Sequence, residues 1–383
     1  MNNSKLNVRL LSAGVLVAAV LAAVPATANA GHDPVRMNQV QVIGTHNSFH
    51  TEITDAEKLI REQAKPGSGT GGEEYSHAPI AQQLEEQHVR SVELDLMLDN
   101  PTGGRFTNPL LRQLSGEGAW HPEVMDKPGI KVMHEEDVDY RSTCLTFVDC
   151  LQQVKAWSDK HRDAVPITIL LQFDQGNGPA FPGHTTQPLL PWTKDAFAAA
   201  EKEVLSVFPR SRIITPDDLR HRNLTLHDSV QKYGWPTLKE SRGKVLFGMD
   251  NLRNEFLSVS EPSLNGRLFF TNAQDDANAP DAAFMIRDEA PQLHDLIQSL
   301  VKQNFLIRSR ADSPNVEAKS GDTTRREAAL TSGAQVVSTD YPGPGMSARF
   351  GTGYYAELPT GNAVRCNPVN APRGCKDADL EKH

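Results

Sequence analysis

Two histidines, His46 and His134, and five oxygen-bearing side chains, Asn47, Glu93, Asp95, Gln172 and Asp174, stand at or near the ends of short apolar runs. Asn47, Glu93 and Asp95, with one of Gln172 or Asp174, form a set of hard oxygen donors of the kind calcium requires, water and a phosphate completing the shell. An ion held there would polarise a phosphoryl oxygen and lower the pKa of a coordinated hydroxyl. Two histidines placed across the phosphorus would serve as general base and general acid near neutral pH. The chemistry written in these residues is metal-assisted phosphoryl transfer.

Each residue taken alone has a plainer reading. A single histidine at a strand end is commonly a hydrogen-bonded rim group, and Glu93-x-Asp95 alone reads equally as a solvated strand face. The run Ser91-Val92-Glu93-Leu94-Asp95-Leu96 argues otherwise, because Val92, Leu94 and Leu96 occupy the opposite face from the two acids. A strand so apolar on one side is buried, and unpaired carboxylates inside a fold demand a cation or a partner. Gln172 and Asp174 likewise share one face of Ile169-Leu170-Leu171-Gln172-Phe173-Asp174.

The elements that must position these groups recur in a regular order. Strands are expected at 40–44, 91–96, 130–134, 167–173, 244–249, 268–271, 305–308 and 335–338. Amphipathic helices are expected at 79–87, 147–161, 193–208, 291–303 and 323–332. Strands alternating with helices imply parallel strands joined by right-handed crossovers. Eight of them predict an α/β fold, a TIM-type (β/α)8 barrel in a single domain. In such a barrel catalytic groups gather at the C-terminal strand ends. Loops are expected at 66–72, at 176–191 and through an irregular tail from Pro342.

Composition narrows the class. Lys5 and Arg9 precede an apolar run, Leu10 to Val24, and Ala28-Asn29-Ala30 supplies a small-x-small cleavage pattern. Residues 1–30 are therefore expected to be a signal peptide, and 31–383 the catalytic phosphodiesterase barrel, secreted or periplasmic. Loss of two positive charges from a formal net charge of −9 leaves −11, which speaks against nucleic-acid binding. The four cysteines fall in two close pairs, and an even count in an exported chain predicts disulfides Cys144–Cys150 and Cys366–Cys375.

The motif Gly44-Thr45-His46-Asn47-Ser48, the pair Glu93-x-Asp95 and His134 resemble the X-region of the phosphatidylinositol-specific phospholipases C. The late segments Arg308-Ser309-Arg310-Ala311-Asp312 and Ser332 to Pro342 resemble the bacterial, calcium-dependent branch of that superfamily. The resemblance implies attack of an inositol 2-hydroxyl on phosphorus, departure of diacylglycerol and formation of a cyclic inositol phosphate. It implies that His46 stabilises the phosphorane, that His134 protonates the leaving oxygen, and that Asn47, Glu93 and Asp95 hold Ca2+. Eukaryotic members carry a glutamate where this chain has Gln172, so the fourth ligand, Gln172 or Asp174, and the identity of the base stay open. Arg308, Asp340 and Asp250 are candidate substrate-binding residues, and Arg310 reads equally as a structural partner of an aspartate across the rim. The partners implied are a phospholipid or glycerophosphodiester substrate and a transient membrane surface; no protein partner is indicated.

Two other readings compete. Glycerophosphodiester phosphodiesterases and phospholipase D-type enzymes on the same barrel share paired histidines, a Glu-x-Asp and a late Thr-Asp-x-Pro, matched by Thr339-Asp340-Tyr341-Pro342. They carry His-Arg-Gly after the first strand where this chain has His46-Asn47-Ser48. A barrel that has lost catalysis and only binds lipid headgroups is the other; Gln172 favours it, and the retained histidines and acids oppose it.

Overall fold

The chain's structure is a computed structural model that describes Met1 and residues 34–67 and 72–381. The expected signal peptide lies, apart from Met1, outside the described residues, as does most of the glycine-rich 66–72 loop. In chain order the strands are β1 (Val40–Thr45), β2 (Ser91–Met97), β3 (Lys131–Val132), β4 (Ile167–Phe173), β5 (Ile213–Ile214) and β6 (Val245–Met249). They continue with β7 (Phe269–Phe270), β8 (Phe284–Ile286), β9 (Leu306–Arg310), β10 (Val336–Thr339) and β11 (Val364–Cys366).

The strands run in the spatial order β5-β6-β4-β2-β1-β10-β9-β8, with every step along it parallel. β7 also pairs in parallel with β6, and a parallel bridge between Asn272 and Phe284 joins its end to β8. The sheet thus closes on itself as the TIM-type barrel that the α/β alternation predicts. Its parallel wall is β1, β2, β4, β6, β7, β8, β9 and β10.

One strand assignment is corrected. The run at 130–134 is not a barrel strand: only Lys131–Val132 is extended, and it pairs antiparallel with the end of β2. Its place in the wall is taken by Phe284–Ile286, a strand of three residues. Lys131 is wholly buried and its ammonium lies 2.9 Å from Asp99, which ties this short strand to the chain leaving β2. His134 is therefore delivered by a turn packed beside β2 rather than by the barrel wall.

Alternation does the positioning. Val92, Leu94 and Leu96 join the main apolar cluster with Leu84, Val154, Ile169 and Leu171, while Glu93 and Asp95 take the other face and are also buried. Helices Phe147–Lys160 and Lys194–Val207 start where Thr146 and Thr193 accept hydrogen bonds from the backbone N–H groups of Asp149 and Ala196. Such caps contribute about 1 kcal/mol each. Gly44 has no side chain because a Cβ there would sit 2.8 Å from the Cβ of Ser91 and 3.0 Å from Val336. β1 can therefore press against both neighbours immediately before His46.

Disulfides link Cys144 to Cys150 and Cys366 to Cys375. The tail from Pro342 is mostly irregular, but β11 returns antiparallel to β1 and carries Cys366. Among the described residues no helix is long and apolar enough to cross a membrane.

Candidate active site

His46 leaves β1 at a sharp turn. Its N–H donates to the Thr339 carbonyl at 3.1 Å, and its own carbonyl lies 2.9 Å from Nε2 of His77. Asn47 then adopts a left-handed backbone conformation, φ 42°, and the chain folds back so that the His50 N–H reaches the Asn47 carbonyl at 2.7 Å. Asparagine tolerates this region better than most residues. The imidazole of His46 is fixed by Asp340, whose Oδ1 is 2.8 Å from Nδ1, with the Tyr75 hydroxyl at 3.4 Å from the same nitrogen. Burial works against the Asp340 charge, but Arg310, at 2.7 Å, and His46 hold its pKa well below the usual carboxylate range. An ionised Asp340 can only accept, so Nδ1 carries the proton and Nε2 is the free atom. That Nε2 is 4.0 Å from Glu93 Oε1.

His134 repeats the arrangement. Its Nδ1 is 2.9 Å from Asp139 Oδ2, across a tight turn closed by reciprocal backbone hydrogen bonds between Glu135 and Asp139. Burial disfavours the charged imidazole, but the bond to Asp139 and its charge hold the pKa well above the usual histidine value. Asp139 in turn lies well below its usual range; burial opposes that shift, and His50 and His134 cause it. The His46 and His134 side chains are 17% and 25% exposed, enough to meet a substrate, whereas His50 is wholly enclosed.

The acids gather around these rings. Glu93 Oε2 is 2.6 Å from Arg308, which also bonds both oxygens of Asp288 at 2.6 Å. Arg310 sits between Asp340 and Asp312. Both arginines are thus already matched by two carboxylates each. Asp95 is different: it is fully buried, and among the described residues neither carboxylate oxygen has a hydrogen-bond partner. Burial, then Asp174, Glu93 and Asp250 nearby, raises its pKa well above the usual value. Asp174 leaves one oxygen unpaired and receives the Gln172 amide N–H on the other at 3.0 Å, and burial pushes its pKa up to about 6. Burial and the neighbouring Glu93 bring Asp250 to about 6 as well.

Sequence reasoning did not single out His50, Tyr75, His77, Asp139 or Asp288. His50 stands four residues after His46, and Asp139 five after His134, so a search for polar residues close to each histidine finds both.

The family described as phosphoinositide phospholipase C, Ca2+-dependent, matches residues 35–368. The chain belongs to that family. Among solved structures, a Ca2+-dependent phosphatidylinositol-specific phospholipase C from Streptomyces antibioticus is similar in fold, with a TM-score of 0.51 and 16% identity, over 89% of this chain and 100% of that one. The calcium-dependent phosphoinositol-specific phospholipase C of a Gram-negative Pseudomonas sp., in its myoinositol complex, matches with a TM-score of 0.50 and 16% identity, over 87% and 96%. No curated protein sequence matches. Like its family, this phospholipase C-type chain is a phosphodiesterase.

The family is described as Ca2+-dependent, so the fit of this chain's residues to calcium is a question of donors. Among the described residues no three His, Cys, Asp or Glu side chains stand in ready metal-binding geometry. The donor chemistry nevertheless suits a hard cation. Three carboxylate oxygens, two on Asp95 and one on Asp174, are buried without a hydrogen-bond partner among the described residues, and buried unpaired charges are strongly unfavourable without a cation. Of the two candidates at the end of β4, Asp174 holds an unpaired oxygen, and Gln172 donates its amide N–H to the other oxygen of Asp174.

Proposed function

We propose that this phosphodiesterase cleaves phosphatidylinositol-type lipids in a calcium-dependent reaction, with His46 and His134 as its proton-transferring pair, giving diacylglycerol and a cyclic inositol phosphate. One observation carries the reading. Each histidine has its Nδ1 held by an aspartate, at 2.8 and 2.9 Å, so that each presents Nε2 as the working atom, and carboxylates lacking partners lie close by.

His46 accepts the proton of the attacking ring hydroxyl at Nε2, and the resulting imidazolium stabilises the negative charge of the phosphorane. His134 gives its Nε2 proton to the diacylglycerol oxygen as the phosphorus–oxygen bond breaks. Asp340 and Asp139 keep each ring in the tautomer and orientation these transfers need. Asn47, Glu93, Asp95 and Asp174 would hold calcium, which when bound polarises a phosphoryl oxygen and acidifies the attacking hydroxyl. Asp250 accepts hydrogen bonds from ring hydroxyls. With Arg308 and Arg310 neutralised by Glu93, Asp288, Asp340 and Asp312, the site favours hydroxyls over ring phosphates. The leader pattern and the two disulfides support action outside the cytoplasm, at a lipid surface.

The test is turnover of phosphatidylinositol, a lysophospholipid and glycerophosphoinositol, each with calcium and with chelator. Calcium-dependent release of inositol phosphate from phosphatidylinositol is expected. Equal rates after exhaustive chelation, or turnover of glycerophosphoinositol alone, contradict the reading.

A further inference from the structure

Asp139 is shared by two imidazoles. On one side its Oδ2 holds His134 at 2.9 Å; on the other, Oδ1 and Oδ2 lie 3.1 and 3.0 Å from Nε2 of His50. The second nitrogen of His50, Nδ1, is 3.0 Å from the Tyr75 carbonyl. A peptide carbonyl only accepts hydrogen bonds, and so does an ionised carboxylate. Both ring nitrogens of His50 therefore donate, and the ring sits as an imidazolium at zero exposure. A buried charge of this kind is costly unless it is paired and hydrogen-bonded, and here both conditions are met by Asp139 and Tyr75. His50 has no surface through which to meet a substrate.

Asp139 is the only hydrogen-bond partner of the His134 ring among the described residues, so whatever holds the Asp139 carboxylate sets the direction of the His134 Nε2–H bond. The turn closed between Glu135 and Asp139 fixes the aspartate's backbone, and among the described residues the hydrogen bonds to its carboxylate come from the two rings only. The tilted contact of the His50 and Tyr75 rings, centroids 4.7 Å apart, fixes the plane of the inner one.

We propose that His50 is a positioning residue for leaving-group protonation: its Nε2–H clamps Asp139 against His134, and so aims the proton that His134 gives to the departing oxygen. The inference rests on the assignment of His134 as general acid made above. Its consequence is selective. A leaving alkoxide such as that of diacylglycerol needs the proton as the phosphorus–oxygen bond breaks; a nitrophenolate leaves without one. Loss of the clamp slows the first reaction and spares the second.

The experiment uses the full chain and two substrates with the same inositol phosphodiester: phosphatidylinositol in detergent micelles, and inositol phosphate esterified to 4-nitrophenol. His50→Asn keeps an amide near the Nδ1 position, able to donate to Tyr75, and removes the donor to Asp139. His50→Gln places its amide near Nε2 and restores that donor. A small misalignment of a reacting group costs up to about 10²-fold, so His50→Asn is expected to lower kcat on phosphatidylinositol by about 10–100-fold with KM unchanged. Its nitrophenyl rate is expected to fall less than about 3-fold, and His50→Gln to recover most of the loss. His134→Ala should show the same split more deeply, within the roughly 10²–10⁴-fold range of a general acid. Equal losses on both substrates in His50→Asn, or no recovery in His50→Gln, mean a merely structural role and overturn the proposal. A split in His134→Ala without one in His50→Asn overturns the proposal alone; no split in either overturns the general-acid assignment as well. Should His50→Asn fail to fold, His50→Ala, which removes the same donor while leaving Asp139 and His134 in place, must show the same split.

Discussion

Replacing Asp95 by asparagine should make the calcium-free protein more stable and remove most of its stabilisation by calcium. Asp95 is fully buried, both its oxygens lack partners, and Asp174, Glu93 and Asp250 surround it. An unsatisfied buried polar group costs about 1–3 kcal/mol, more when charged. An amide of the same shape carries no charge and can donate to Asp174 or Glu93, so relief of about 1–3 kcal/mol is expected. Unfolding entropy of about 2.1 cal/mol/K per residue, over the roughly 350 residues of the unit Asp33–His383, gives about 0.7 kcal/mol/K. The melting temperature in chelator should therefore rise by about 1.5–4 °C. For the unaltered chain, calcium at 100 times its Kd adds about 2.7 kcal/mol, or about 4 °C by the same conversion; in Asp95→Asn that increment should shrink below about 1 °C. The sign with pH follows from the raised pKa values. Asp174 and Asp250, held near 6, and Asp95 bind protons in the folded state that the unfolded chain has already released. Calcium-free stability thus falls as pH rises from about 4 through about 6, and goes on falling at higher pH as Asp95 and His134, both held above their usual values, release their protons. Calcium should stabilise more at pH 7.5 than at pH 5, because its ligands must be ionised. Differential scanning fluorimetry or calorimetry reads all of this without an activity assay. A lower melting temperature for Asp95→Asn in chelator, or an undiminished calcium increment, would refute the reasoning.

Three further outcomes are expected. His46→Ala and His134→Ala should each lose roughly 10²–10⁴-fold in kcat while keeping the circular dichroism of the parent; full activity in either removes that residue from the mechanism. Arg310→Met should be the most destabilising of the site variants, by about 3–5 kcal/mol, because it strands the buried carboxylates of Asp340 and Asp312; a loss under about 1 kcal/mol in urea unfolding contradicts that. The double replacement Cys144→Ala, Cys150→Ala opens a short loop and should cost about 2 kcal/mol, measured against the reduced parent as well as the oxidised one.

Much of this was legible in the residues. The runs 91–97 and 167–173 alternate or fill with branched apolar side chains so completely that only buried strands suit them, and the acids of β2 were placed by that alternation alone. The misassigned run at 130–134 shows the limit: Ile130, Val132 and Met133 make an apolar stretch whose composition does not encode the direction of its partner. Phe284–Ile286 was missed because three residues in an alanine-rich stretch give no period to recognise. His50 and Asp139 lie 89 residues apart, and the pairing of Arg308 with Glu93 spans 215. Such partnerships are set by how the barrel closes, and no local pattern announces them. What a single chain does reveal is which carboxylates face inward and so need a partner. What it conceals is whether that partner is an arginine, as for Glu93, or no hydrogen-bonding group among the described residues, as for Asp95.

In the function proposed above, two aspartate-held histidines move the phosphoryl group of an inositol phosphodiester from the diacylglycerol oxygen onto a hydroxyl of the same ring. Phosphorus NMR of phosphatidylinositol micelles treated with the purified protein tests it most directly, because a five-membered cyclic phosphodiester is resolved from every acyclic product. With calcium, the cyclic inositol phosphate is expected to appear first, with an equal amount of diacylglycerol, and neither is expected to form in chelator. Phosphatidate, glycerol phosphate, or acyclic inositol phosphate as the first product would contradict it.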